Sequence, residues 1–405
     1  MNVLFFSPGF PAEMPHFVRG LGEVGARVFG IGDQPVEALP SPAREALSGY
    51  EQVASLWDDY RILATVRGLA DRVGIDRIEC LWEPGMLLAA GLREKLGLPG
   101  LSLAETVPFR DKEYMKRALD EHGIRTPRHA RASTAAECRQ AAERIGYPLI
   151  IKPIAGAGSA DTHRVDDGIE LEQVLGWIRH VPEVSVEEFI DGEEYTFDTI
   201  SAGGEILFFN IAWYRPRPLI GRSVEWISPQ TVTLRDPEAE ELAGGRRMGQ
   251  EVLGALGFRT GFSHMEWFRK PDGEAVFGEI GARPPGARSV DLMNYASDID
   301  VFTGWAEAIC YGRFTQPLER SYNAAVIFKR AEGEGQIRSM EGLDELLDEF
   351  APHIVDVDLL PIGSHRRDWR KTLRSDGNVV VRHPDLTTTL EIADRVGANL
   401  RIFAS

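Results

Sequence analysis

Lys152 and the small residues that follow it are the first candidates for chemistry in this chain. Residues 147–165 read YPLIIKPIAGAGSADTHRV. Leu149, Ile150 and Ile151 form a short apolar, β-branched run, the pattern of a buried strand. Lys152 closes that strand and Pro153 stops it. Ala155, Gly156, Ala157, Gly158 and Ser159 come next, with almost no side chain between them. Such a loop lets backbone N–H groups approach an anion closely, and the lysine adds a full positive charge. A phosphate clamp and a plain glycine-rich turn beside a surface lysine describe this stretch equally well when it stands alone.

The second candidate is residues 262–283, FSHMEWFRKPDGEAVFGEIGAR. Asp272-Gly273 is a two-residue hairpin signal. A turn at those residues sets Pro271 opposite Glu274, Arg269 opposite Val276 and Glu266 opposite Glu279. Facing carboxylates repel each other, and a cation between them removes the repulsion. Magnesium takes one or two carboxylates together with phosphate oxygens and water, so the pair fits a magnesium–ATP complex. On an extended continuation, Gly281 and Arg283 project to the same side as Glu279. Arg283 is then placed beside the metal to hold a phosphoryl group or a charged intermediate. A register one residue away would separate the glutamates; the Asp-Gly turn favours the facing arrangement.

Three further stretches are read with both alternatives open. Asp111 can cap a helix over residues 113–122, which puts Lys112 at the helix start. There it is either a solvated lysine or a second cation aimed at phosphates. Residues 184–200 carry Asp191-Gly192, a hairpin signal between two strands. Glu187, Glu188, Phe189 and Ile190 end the first strand, and Glu194 opens the second. A strand end offers the acceptor, donor and apolar slot that an adenine ring needs, and Glu194 suits ribose hydroxyls; an acidic, exposed hairpin is the plainer reading. Residues 215–222, RPRPLIGR, are either a receiver for a substrate carboxylate or a surface loop.

The elements that must position these residues alternate in type. Residues 1–105 read as strand (3–6), helix (16–24), strand (27–31), helix (65–73), strand (77–81) and helix (86–96), a small α/β domain with a parallel sheet. Gly20, Gly22 and Gly25 match GxGxxG. They fall at the end of the first helix rather than after the first strand, which marks helix termination and close packing, not a dinucleotide site. No GxxxxGK[ST] loop is present. Helices are expected over residues 134–145, 170–178, 238–256, 292–311, 343–349 and 387–395. Strands are expected over 206–214, 324–329 and 379–382.

Composition sets the outer bounds. A chain of 405 residues with 43% apolar residues holds two or three domains with real cores. No apolar run approaches the roughly 18 residues of a membrane-spanning helix. The opening MNVLFFSPGF reads as a first strand, not a leader peptide. Cys80, Cys138 and Cys310 are isolated, which argues for a reducing compartment such as the cytoplasm. A net charge of −17 makes nucleic acid a poor partner, so any phosphate site must supply its own local positive charge. Arg366, Arg367, Arg370, Lys371 and Arg374 read as a solvated face.

Taken in order, the pieces are Asp111-Lys112, Lys152 with GAGS, EEFIDGEEY, HMEWF and GEIGARPPG. That series resembles the ATP-grasp superfamily of carboxylate–amine ligases, over about residues 105–310. The resemblance implies a mixed α/β and α+β chain with the ATP-grasp fold. Its parts would be an N-terminal α/β domain (1–105), a small ATP-binding lobe (106–190), a large lobe with an antiparallel sheet and the magnesium site (191–320), and a C-terminal α+β extension packed on the large lobe (321–405). It also implies roles. Lys112 and Lys152 would hold ATP phosphates, with Gly156, Gly158 and Ser159 as the loop that closes over them. Glu187, Glu188, Phe189 and Ile190 would form the adenine hinge, and Glu194 the ribose-binding acid. Glu266 and Glu279 would ligate magnesium, or manganese in its place, and Arg283 would be the catalytic arginine. Many members carry Asn two residues after the second glutamate, where this chain has Gly281. The form E-x-small-x-R followed by Pro and Gly looks like the amino-acid and dipeptide ligase branch.

The implied reaction joins a small-molecule carboxylate to an amine through an acyl phosphate, without a nucleic-acid or membrane partner. A homodimer is the expectation by analogy. A biotin-type carboxylase and a non-catalytic nucleotide-binding regulator are the alternatives. The first lacks a biotin-carrier segment here, and the second does not explain the retained lysines, acids and Arg283.

Overall fold

The computed structural model describes residues 1–154, 161–370, 372 and 374–405. The first sheet is parallel and has four strands, β1 (Asn2–Phe6), β2 (Arg27–Gly32), β3 (Leu47–Gln52) and β4 (Arg77–Glu79), in the order β3-β2-β1-β4. The sequence reading missed β3: LSGYEQ has no alternating apolar pattern, and only docking against β2 makes it a strand. The helix Met14–Glu23 does end near the GxGxxG glycines. A Cβ on Gly20 would lie 2.7 Å from the Phe302 carbonyl oxygen, so close packing is what that spacing serves.

The second sheet has four strands, β5 (His129–Ala132), β6 (Leu149–Pro153), β7 (His163–Val165) and β8 (Val184–Glu188), in the order β5-β8-β6-β7. The helix Ala135–Ile145 packs on it through Cys138, Ala141, Ala142 and Ile145. Thr134 and Glu137 begin that helix with a reciprocal capping box.

The large sheet has nine strands. They are β9 (Glu193–Ala202), β10 (Glu205–Asn210), β11 (Ala212–Arg215), β12 (Gln230–Thr233), β13 (Gly261–Arg269), β14 (Ala275–Gly281), β15 (Asn323–Lys329), β18 (Ile354–Leu359) and β19 (Gly377–His383). Three shorter strands, β16 (Glu332–Gly333), β17 (Ile337–Glu341) and β20 (Arg401–Ala404), form a separate sheet. Within residues 321–405, β15, β18 and β19 thus belong to the large sheet, while β16, β17 and β20 do not.

Several local readings change. Asp191-Gly192 does not close a hairpin: β8 belongs to the second sheet and β9 to the large one, so the dipeptide lies on the crossing between lobes. The expected strand over 206–214 is two strands broken at Ile211, one pairing with β9 and the other mainly with β12. The expected helix over 292–311 is two, Ser289–Ser297 and Val301–Tyr311, separated at Asp298 with φ 51°.

The helix Ala243–Ala255 lies under β9 and β13. A Cβ on Gly245 would sit 2.2 Å from the Trp267 ring, and one on Gly249 would sit 2.2 Å from the Phe197 ring. Each helical glycine costs about 1 kcal/mol relative to alanine. Here the loss lets two large aromatics of the strands lie flat against the helix. Among the described residues, no helix is long and apolar enough to cross a membrane.

Candidate active site

A cleft opens between the second and large sheets. Its lining includes Glu83, Lys112, Lys152, Glu187, Glu188, Ile190, Glu194, Glu266, Glu279 and Arg283. Nine of those ten are residues singled out from the sequence. Gly156, Gly158 and Ser159 lie outside the described residues.

The floor is set by the β13–β14 hairpin. Glu266 stands directly opposite Glu279, as expected, but the route to that register differs. The turn spans one residue more than a two-residue loop, with Lys270 and Glu274 bonded across it. Arg269 therefore faces Ala275, not Val276, and Trp267 faces Phe277. Gly278 is then an extra residue on β14, a bulge that shifts the pairing back so that Glu279 meets Glu266. A Cβ at Gly278 would come within 2.8 Å of the Glu266 carbonyl oxygen, so the bulge needs glycine.

Glu266 is held from two sides. Its Oε1 accepts from the Tyr214 hydroxyl at 3.4 Å and lies 3.5 Å from His264 Nε2. His264 Nδ1 is 2.6 Å from the buried Asp198. Burial works against charge on His264, but Asp198 and Glu266 outweigh it and push its pKa up to about 9. Burial likewise opposes charge on Glu266, while His264 and Arg283 hold it below the usual carboxylate range. Glu194, on β9, goes the other way: burial and the nearby Glu266 raise it to about 8.

Basic groups form the facing wall. Asp111 caps the helix Lys112–Glu121 with two bonds, to the N–H groups of Glu113 and Tyr114, both at 3.0 Å. That cap fixes Lys112, whose Nζ lies 3.1 Å from Glu279 Oε1. On β6, Lys152 Nζ lies 3.0 Å from Glu187 Oε2. Burial would strip the charge from Lys152, but Glu187 and Glu279 keep its pKa above the ordinary lysine value. Glu187 is buried, yet Lys116 and Lys152 hold it far below the usual carboxylate range.

Arg283 sits just past the end of β14. Its Nε donates to Glu83 Oε2 at 2.7 Å, and Arg110 donates to the other Glu83 oxygen. Glu83 comes from the short helical turn after β4, so the first sheet reaches the arginine directly.

At the crossing between lobes, the N–H groups of Glu188 and Phe189 bond to the carbonyls of Arg128 and Pro148. Among the described residues, the Ile190 N–H makes no such bond, while its carbonyl accepts from Arg217 at 2.9 Å. Phe189 does not line the cleft with the others; its ring lies between the guanidinium carbons of Arg164 at 4.2 Å and Arg217 at 4.8 Å. Arg215 pairs with Asp394, and Arg222 donates to the Arg370 carbonyl, so within 215–222 the arginine at the cleft is Arg217. Arg366 is no solvated side chain: it pairs with Glu225 at 2.9 Å and is 6% exposed. Lys371 lies outside the described residues.

Sequence reasoning missed Glu83, Lys116 and His264. Lys116 had a signal, since it falls one turn after Lys112 on the face that carries Met115 and Leu119. His264 had one too, two residues before Glu266 and so on the same strand face. Glu83 has no local signal.

Residues 109–215 match the model of the ATP-grasp domain. Over 218 residues the chain is 28% identical to the L-arginine-specific L-amino acid ligase of Bacillus subtilis, covering 52% of each. The match thus spans about half the length of that relative. It is 26% identical over 357 residues to the formate-dependent phosphoribosylglycinamide formyltransferase of Synechocystis sp., covering 84% of this chain and 87% of the relative. The L-amino acid ligase of Bacillus licheniformis superimposes over 100% of this chain and 98% of its own, with a TM-score of 0.81 at 21% identity. That likeness is one of fold.

Proposed function

We propose that this chain, a member of the ATP-grasp superfamily, is an ATP-dependent ligase that joins a carboxylate to an amine and releases ADP and phosphate. One observation carries the reading: Glu266 and Glu279 face each other in a cleft shared with Lys112, Lys152 and Arg283. The same reading assigns residues 1–105 to an N-terminal α/β domain, 106–190 to the small ATP-binding lobe, 191–320 to the large lobe and 321–405 to its continuation.

Carboxylate and amine do not condense in water at neutral pH, because hydroxide is a poor leaving group. Transfer of the γ-phosphoryl group to the carboxylate oxygen, with cleavage of its bond to the β-phosphate oxygen, gives an acyl phosphate and ADP. The amine nitrogen then bonds to the acyl carbon, the bond from that carbon to the phosphate oxygen breaks, and phosphate leaves while the amine's surplus proton passes to phosphate or water. Such transfer relies on positioning and charge neutralisation. Lys152 and Lys112 would hold the phosphates. Arg283, aimed by Glu83, would stabilise charge on the moving phosphoryl group or on the tetrahedral acyl centre. The Ile190 N–H is the hinge donor for an adenine ring, and Arg217 closes that end of the cleft.

Glu266 and Glu279 would hold magnesium. Among the described residues no group of three or more His, Cys, Asp or Glu side chains is arranged to bind a metal. Two carboxylates and no fuller cage fit magnesium, whose remaining sites go to phosphate oxygens and water. Magnesium would neutralise phosphate charge during transfer. Gly281 adds no third side-chain ligand. Three isolated cysteines without a disulfide fit a cytoplasmic setting.

The test is a coupled ADP-release screen over amino acids and small carboxylates, with amines offered as acceptors. ADP release that requires both a carboxylate and an amine is the expected result. ADP or ATP binding without substrate-driven release would favour the regulator instead.

A further inference from the structure

Lys116 has no task in the mechanism above, although it is fully buried. Its Nζ donates to Glu187 Oε1 at 2.7 Å, and the other Glu187 oxygen faces Lys152. Glu113 is the next carboxylate toward Lys116. Its oxygens are already engaged by Ser185 and by His129, whose second ring nitrogen meets Asp120. Lys152 in turn is faced by Glu279 and Glu266, the two acids assigned to the metal. One carboxylate is therefore divided between two ammonium groups. Burying an ammonium group is costly, and a Met of similar length would suit a helix face that already carries Met115 and Leu119.

We propose that Lys116 is a positioning residue for the nucleotide: by sharing Glu187, it leaves Lys152 with positive charge that the phosphates can use. The inference rests on the assignment of this cleft to ATP. Without Lys116, Glu187 and Lys152 close into a neutral pair, and a phosphate must compete with Glu187 for the ammonium. With Lys116, Glu187 still fixes the Lys152 side chain but no longer cancels its charge. The effect falls on the phosphate tail, since Lys116 acts through the Glu187 carboxylate on the charge of Lys152.

Calorimetry with ADP and with AMP reads this directly, without turnover. Lys116→Met is expected to weaken ADP binding roughly tenfold or more, while leaving AMP affinity unchanged. The double variant Lys116→Met/Glu187→Gln removes both members of the buried pair and should restore most of the ADP-to-AMP affinity ratio. Should Lys116→Met fail to fold, Lys116→Gln carries the same comparison. Equal losses for ADP and AMP, no loss for ADP, or no recovery in the double variant would overturn the inference. A packing role alone would lower the melting temperature of the unliganded protein and leave the ADP-to-AMP ratio untouched. Failure of the unaltered chain to bind ADP would overturn the nucleotide reading itself, and this inference with it.

Discussion

The two walls of the cleft carry opposite charge and are built in opposite ways. The acidic wall comes from three neighbouring strands of one sheet: Glu194 on β9, Glu266 on β13 and Glu279 on β14. Strand pairing brings these carboxyl groups together, and His264 beside Glu266 is the counter-charge within the wall. The basic wall is assembled from a helix and a strand of the other lobe, with Lys112 and Lys116 on one and Lys152 on the other. It carries its own counter-charge, Glu187, held between two lysines. The facing carboxylates of the acidic wall thus outnumber its one cation, and the basic wall has charge to share. A metal bound to a triphosphate would satisfy both, which is why the charge pattern says more than any single residue.

Removing an acid tests that division most severely. Glu279→Gln should cut substrate-driven ADP release by roughly a hundredfold or more; turnover within a few-fold of the unaltered enzyme would contradict the metal assignment. On the opposite wall, Lys152→Met should lower kcat/KM for ATP by roughly tenfold to a hundredfold, the size of a lost charge-assisted bond. An effect larger than that of Glu279→Gln would reverse the order of importance of the walls. Gly278→Ala probes how the acids are brought face to face. Crowding against the Glu266 carbonyl should destabilise the protein by about 1–3 kcal/mol in denaturant unfolding. Loss of magnesium-dependent ADP binding should accompany it.

The smallest expected effect lies behind the basic wall. Burial opposes charge on His129, but its bonds to Glu113 and Asp120 prevail and raise its pKa above 6.5. Stability from charged His129 is then full below pH 6.5 and is lost as pH rises through the raised value. His129→Gln should flatten that part of the stability curve. An unchanged slope would show that the imidazole is neutral in the folded protein.

Two Asp-Gly dipeptides show how far the sequence could be read. Asp272-Gly273 does end a hairpin, and the pairing inferred from it brought Glu266 to Glu279. The inference reached the right pair through a register that the loop length and the Gly278 bulge each shift by one. Asp191-Gly192 has the same turn chemistry but joins strands of different sheets. Turn preference is local, whereas partner choice depends on which strands dock later. The lysines, glutamates and Arg283 were singled out by their order along the chain, and they line one cleft. Glu83 was not, since only the packing of the first sheet against the hairpin brings it to Arg283.

That last contact bears on how the chain can be taken apart. Glu83 orients Arg283 across 200 positions of sequence. A chimera that exchanges the first hundred residues for those of a relative would therefore need an acid at the corresponding place. Otherwise the transplanted module would fold and leave the guanidinium unaimed.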